Sequence, residues 1–180
     1  LLACVVLLVG CGDEKAEQAE DAADADGWIL EVIDADKVTD LRANAAAQGK
    51  VLVLDCWATW CGSCVAMFPH LHEAIKERGE GVTLVSLSFD EGDALAKEAA
   101  AFLIEQDAWA EGTAYRAAEG SDAKDAVAAA LSPNWDGGAL PAVFVYKPNG
   151  SIALEFTETR GDVKDWVAEI TAAVDASLTE

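Results

Sequence analysis

Val51-Leu-Val-Leu-Asp-Cys-Trp57-Ala-Thr-Trp-Cys61-Gly-Ser-Cys64 joins a nearly continuous apolar run to two cysteines three positions apart. An apolar run of this length, rich in Val and Leu, is the pattern of a strand buried on both faces. A helix is expected from Cys61 to Arg78, broken or kinked at Pro69. The first cysteine therefore falls at a strand-to-helix junction, over the unpaired N–H groups and the positive end of the helix dipole. Both favour the thiolate, which is the attacking species in disulfide exchange. Cys64, one turn further on, lies on the same face within bonding reach and can resolve a mixed disulfide formed on Cys61.

Working outward, Trp28 to Ile33 has strand character, and Asp36 to Gln48 is expected as a helix stopped by Gly49. Val82 to Phe89 is a second buried strand. Asp93 to Gln106 is a helix whose stripe is Leu95, Ala99, Phe102 and Leu103. Residues 108–138 carry little periodicity beyond an Ala-rich helix from Asp122 to Leu131 and a turn-like Asn134-Trp-Asp-Gly-Gly138. Trp109, Tyr115 and Trp135 in this region are candidates for a substrate groove, although packing is the commoner use of such side chains. Ala142 to Tyr146, the turn Lys147-Pro-Asn-Gly150 and Ser151 to Phe156 read as a hairpin. Val163, Trp166, Val167, Ile170 and Val174 define a closing amphipathic helix. Strands alternating with helices, followed by a hairpin and a last helix, imply an α/β domain around a mixed sheet.

The chain has 180 residues, a formal net charge of −21 and 52% hydrophobic residues. That suits one domain with a good core. Such acidity excludes nucleic acid as a partner, since phosphates require Lys and Arg, and excludes electrostatic docking on anionic lipid. The five cysteines, Cys4, Cys11, Cys56, Cys61 and Cys64, are too unevenly placed for a disulfide scaffold. A zinc site at Cys61 and Cys64 would need two more ligands. His70 and His72 are the only histidines; on a continuous helix His72 points only loosely toward Cys64 and His70 away. Both are expected at the surface, and neither metal nor other cofactor is expected. A purely structural disulfide is also a poor use of the pair, because so small a loop constrains the unfolded chain little.

Residues 1–10 are apolar but too few to span a bilayer, and the sequence opens at Leu1 without Met, so a short charged start is expected upstream. Leu8-Val9-Gly10-Cys11 resembles the lipobox of bacterial lipoproteins. The resemblance implies signal-peptide cleavage before Cys11 and lipidation of that residue, which would anchor the chain to a membrane. Residues 11–27 would then be the lipidated cysteine and an acidic, Ala-rich tether, too polar to fold alone. The domain proper is expected over 28–180.

Asp55-Cys-Trp-Ala-Thr-Trp-Cys-Gly-Ser-Cys64, with Pro69 five residues on, resembles the thioredoxin active-site segment, and Leu140-Pro141 ahead of a strand resembles the cis-proline element of that superfamily. The resemblance spans most of 28–178. It implies a thioredoxin-like fold with an N-terminal extension and an insertion before the proline. It implies further that Trp60 flanks the nucleophile, that Leu140 and Pro141 face the cysteine pair and bind substrate backbone, and that Asp55 is the buried acid beneath the pair. A carboxyl group there could pass a proton to or from Cys64. The long spacing to Pro141 and the lipid signal resemble the anchored TlpA/ResA-type branch, whose members reduce disulfides in apocytochrome c or other exported proteins; peroxiredoxin-like relatives lack a Cys-x-x-Cys of this kind. Expected partners are accordingly exported protein disulfides and a thiol–disulfide redox partner, outside the cytoplasm. Two other functions stay open on sequence: copper delivery, which resembles a Cys-x-x-x-Cys with a distant His, and a non-catalytic interaction lipoprotein. Ser63 stands where thioredoxins carry Pro and can donate a hydrogen bond to the Cys61 sulfur. Cys56 replaces an aromatic residue. Strand alternation sets it opposite Asp55, as a buried thiol or, alternatively, a third redox cysteine.

Overall fold

The structure, a computed structural model, describes residues 30–109, 112–157 and 159–179. The expected signal segment, Cys11, the acidic tether, and Trp28 and Ile29 of the first strand lie outside the described residues.

Six strands form one mixed sheet: β1 (Glu31–Ile33), β2 (Val51–Trp57), β3 (Val82–Ser88), β4 (Ala114–Ala117), β5 (Ala142–Tyr146) and β6 (Ile152–Phe156). Their spatial order is β1-β4-β3-β2-β5-β6. β1, β4, β3 and β2 run parallel to one another, whereas β5 is antiparallel to β2 and β6 to β5. β2 is thus central. All seven of its residues are buried, as its apolar run requires.

Among the described residues, five α-helices cover the sheet: α1 (Ala35–Ala47), α2 (Gly62–Lys76), α3 (Gly92–Glu105), α4 (Ser121–Leu131) and α5 (Val163–Leu178). Alternation along β2 assigns its side chains to two layers. Leu52, Leu54 and Cys56 join Val38 and Ala45 of α1 and Val127 and Leu131 of α4 in one core. Val51 and Val53 join Met67, Leu71 and Ile75 of α2 and Ile170 and Val174 of α5 on the opposite face. The first and last of these helices begin at short acidic side chains that cap them. Asp34 accepts the Lys37 N–H at 3.0 Å, and Asp162 and Asp165 form a reciprocal capping box on α5. Gly49, at φ 66°, turns the chain out of α1 in a conformation that side-chain-bearing residues rarely adopt.

Two local expectations are corrected. The helix after Cys61 is not broken at Pro69, because α2 continues through that residue to Lys76. Burial of both ends of its apolar stripe holds the segment together despite the missing N–H. The stretch 108–138 also contains a strand. β4 pairs in parallel with both β1 and β3, so its hydrogen bonds come from neighbours distant in sequence.

Candidate active site

Where β2 ends at Trp57, the chain makes one turn and enters α2 with Cys61 as its N-cap residue. The Cys61 side chain takes the place of the usual capping oxygen: the Cys64 N–H donates to Cys61 Sγ at 3.2 Å. Ser63 Oγ lies 3.4 Å from the same sulfur, as the Ser-for-Pro reading anticipates. Cys61 and Cys64 are disulfide-bonded, with their Cα atoms 5.2 Å apart. Exposure separates their roles. Cys61 is 8% exposed and Cys64 1%, so an incoming partner meets the first sulfur only. Trp60 beside it stands out at 61% exposure, although large apolar side chains usually pack inward. The Leu140–Pro141 peptide bond is cis. Leu140 packs against the cluster that contains both cysteines, so the proline element and the cysteine pair share one corner of the molecule.

Asp55 lies on β2 two residues before Trp57, on the sheet face that α2 covers. It is fully buried. Its Oδ2 is 3.1 Å from Nε2 of His72, while Oδ1 is buried without a hydrogen-bond partner. His72 is therefore not a surface residue, contrary to the sequence expectation. It is 6% exposed and stacks on Phe68, ring centroids 3.7 Å apart. The signal was available in the α2 pattern: Cys64, Met67, Phe68, Leu71, His72 and Ile75 form one buried stripe at helical spacing. His70 is exposed, as expected.

A second buried acid escaped the sequence reading. Asp90, fully buried just past β3, accepts the Thr59 N–H at 3.0 and 3.2 Å, the Thr59 hydroxyl at 2.6 Å and the Ser88 hydroxyl at 2.8 Å. Trp57 Nε1 donates to Ser86 Oγ at 2.6 Å, and the Phe89 N–H to the Trp57 carbonyl at 2.8 Å. β3 and the two residues after it thus fix the start and the middle of the turn that carries Trp60 and Cys61.

Cys56 lies in the opposite core layer from α2, with Leu54, Leu87 and Phe144. Burial, with a smaller contribution from the neighbouring Asp55 charge, pushes its thiol well above the ordinary range. Because the thiolate is the reactive form, Cys56 is expected to resist iodoacetamide in the folded protein up to about pH 9 and to react once the chain is unfolded. Mass spectrometry of alkylated peptides checks this, and fast labelling of folded protein would mark Cys56 as a redox thiol instead. The same burial favours the folded state below the thiol's ordinary pKa, and that contribution is lost as the pH rises beyond it. Tyr115 and Trp135 belong to this layer too, Trp135 packing edge-on against Phe89. They serve the core and do not form a groove. Trp109 is half-buried against the cluster that holds the two cysteines.

Comparison with known proteins agrees with this geometry. The AhpC/TSA family model matches residues 22–154. A bifunctional thioredoxin reductase/thioredoxin of Mycobacterium leprae is 30% identical over 100 residues, 48% of this chain and 22% of that one. Thioredoxin of Listeria monocytogenes is 36% identical over 55 residues, 31% of this chain and 53% of that one. The chain thus spans about a fifth of the first relative's length and about half of the second's. Among solved structures, a thioredoxin-related protein from Neisseria meningitidis serogroup B has a TM-score of 0.54 at 21% identity, covering 73% of this chain and 87% of that one. A thiol:disulfide interchange protein of the thioredoxin family from Chlorobium tepidum TLS has a TM-score of 0.53 at 22% identity, with 75% and 84% covered. An uncharacterized thioredoxin-like protein from Porphyromonas gingivalis has a TM-score of 0.52 at 27% identity, with 73% and 78% covered. With its family model matched over most of the sequence and its cysteine pair bonded at the mouth of α2, the chain belongs to the AhpC/TSA family and has a thioredoxin-like fold shared with thiol:disulfide oxidoreductases.

Proposed function

We propose that this protein is a thiol–disulfide oxidoreductase of the TlpA/ResA type that reduces disulfides in exported proteins, such as apocytochrome c, from a lipid anchor on Cys11. The observation that carries the redox chemistry is the capping of α2 by Cys61. A sulfur receiving a backbone N–H at the positive end of a helix is favoured as thiolate, and thiolate attacks disulfides. Cys61 attacks one sulfur of the target, the released target sulfur takes a proton, and a mixed disulfide remains on Cys61. Cys64 then attacks Cys61 Sγ, closing the internal disulfide and freeing the reduced target. The exposed Trp60 and the Leu140–Pro141 corner supply the surface against which an extended substrate segment lies.

The extracytoplasmic placement rests on the Leu8–Cys11 pattern. Among the described residues no helix is long and apolar enough to cross a membrane, and the lipid on Cys11 is the proposed attachment. Labelling cells with a radioactive fatty acid is expected to mark the protein, and Cys11→Ala to abolish the label and release the domain from membranes. Label on the Cys11→Ala protein would sink the anchor.

Direction of electron flow is tested by the reduction potential of the Cys61/Cys64 pair against glutathione or dithiothreitol. A reductant is expected near the thioredoxin value of about −270 mV; a value near about −120 mV would make the protein an oxidant and overturn the reductive assignment.

A further inference from the structure

We propose that His72 carries the proton that Asp55 exchanges with Cys64, linking the buried acid to an open cleft on the far side of α2. The inference rests on the dithiol–disulfide reading above and adds to it the route by which the proton leaves.

Resolution of the mixed disulfide requires the Cys64 thiol to lose a proton, and Cys64 is only 1% exposed. Water cannot readily take that proton. Asp55, beneath α2, has a buried, unpartnered Oδ1 as an open acceptor. A proton left on Asp55 would stop the next turnover unless it were passed on. Among the described residues, the side chain hydrogen-bonded to that carboxyl group is His72, through Oδ2 and Nε2 at 3.1 Å. An imidazole can take a proton on one nitrogen and release it from the other, and it is the side chain best suited to do so near neutral pH. Its stacking on Phe68 fixes the ring orientation.

His72 also borders solvent. Its side chain keeps 7% exposure, and the residue lines an open cleft of about 460 Å³ with Pro69, Glu73, Lys76, Glu77 and Asp107. The titratable groups facing His72 are thus Asp55 from β2, Glu73, Lys76 and Glu77 from its own helix, and Asp107 from the segment after α3. Lys76 donates to the Asp107 carbonyl at 2.7 Å across the cleft wall.

The balance closes without any further reagent. Two electrons pass from the cysteine pair to the target disulfide, the Cys61–target bond breaks as the Cys61–Cys64 bond forms, and the Cys64 proton moves to Asp55, then His72, then solvent. The two target thiolates regain protons from solvent. In the reverse direction the same relay returns a proton to Cys64.

The test measures the two steps of exchange separately by rapid mixing of reduced protein with a chromogenic aromatic disulfide. His72→Gln keeps a donor for Asp55 but cannot titrate. It is expected to form the mixed disulfide at the wild-type rate and to resolve it about a hundredfold more slowly at neutral pH, with a flattened pH profile, at the low end of the usual worth of a positioned proton carrier. Added imidazole should restore part of the rate to His72→Ala through the open cleft, whereas the exposed His70→Gln should behave as wild type. Wild-type resolution and pH dependence in His72→Gln would overturn the inference while leaving the redox reading intact. Equal slowing of both steps would reduce His72 to a structural prop and overturn it too. Absence of any exchange in the wild-type protein would overturn both. Should the variants fail to fold, the tag-free wild-type chain has only two histidines, so ring NMR can follow His72 directly. Its ring resonances are expected to differ between the dithiol and disulfide forms, and identical resonances in both would overturn the proposal.

Discussion

Cys61→Ser is expected to reduce disulfide exchange to the uncatalysed background, whereas Cys64→Ser should halt the reaction with the target covalently held on Cys61. The difference follows from exposure. The Cys61 sulfur reaches the surface beside Trp60, while the Cys64 sulfur is enclosed by α2, Trp57 and Phe68. A hydroxyl at position 61 retains the capping hydrogen bond from the Cys64 N–H, so the helix start and the fold should survive. It cannot ionise near neutral pH and does not form a bond to sulfur. The loss is therefore chemical and complete, and the buried Cys64 cannot substitute for it. In Cys64→Ser the attack still occurs, but no resolving sulfur follows. Insulin reduction with dithiothreitol as electron donor should read zero above background for both variants. Non-reducing electrophoresis of extracts should show mixed-disulfide adducts for Cys64→Ser only. Adducts on Cys61→Ser would transfer the nucleophile to Cys64 or Cys56, and an empty Cys64→Ser trap with no insulin reduction by the wild type would leave the protein an interaction module.

What the sequence showed directly was whatever depends on near neighbours along the chain. β2, the strand–turn–helix placement of Cys61 and Cys64, the β5–β6 hairpin and the apolar stripe of α5 are all written as local periodicities; the first three stand within about two residues of their expected bounds, and α5 carries its stripe and runs on to Leu178. The cis bond at Pro141 came from family resemblance, since an X-Pro dipeptide by itself favours trans. β4 was not legible for a physical reason. It has four residues, carries Arg116 in the middle, and is buried only because β1 and β3 flank it on both sides. Arg116 is accommodated by pairing with Glu119, a contact that the strand's own pattern does not announce. His72 follows its place in the Phe68–Leu71–Ile75 stripe and not the surface preference of its residue type. Asp90 was invisible because its partner Thr59 is 31 residues away.

That distance makes Asp90→Ala the most informative change outside the cysteines. Neutral donors satisfy the carboxylate: the Thr59 N–H, the Thr59 hydroxyl and the Ser88 hydroxyl. Hydrogen bonds to a charged group are each worth about 1.5–3 kcal/mol net, and a buried donor left without a partner costs about 1–3 kcal/mol. Alanine removes every acceptor at once but also relieves the burial of a charge, so the expected net loss is about 2–4 kcal/mol. For a domain of this size that corresponds to a drop in Tm of roughly 5–15 °C. Asp90→Asn keeps the shape and one acceptor oxygen, and its amide can donate to the Ser88 hydroxyl, so it should lose about half as much. The functional consequence should exceed the loss of stability. Residues 58–60 hold Trp60 and aim the N-cap cysteine, and only the Cys61 N–H to Ala58 carbonyl bond of 3.1 Å would still brace the turn from within. At a temperature where Asp90→Ala is fully folded, mixed-disulfide formation on Cys61 is therefore expected to slow about tenfold, since loss of fixed geometry at a reacting atom costs rate even where the chemistry is unchanged. Thermal denaturation followed by circular dichroism and stopped-flow exchange on the same samples separate the two effects. A variant with reduced Tm but wild-type exchange would confine Asp90 to holding the fold together.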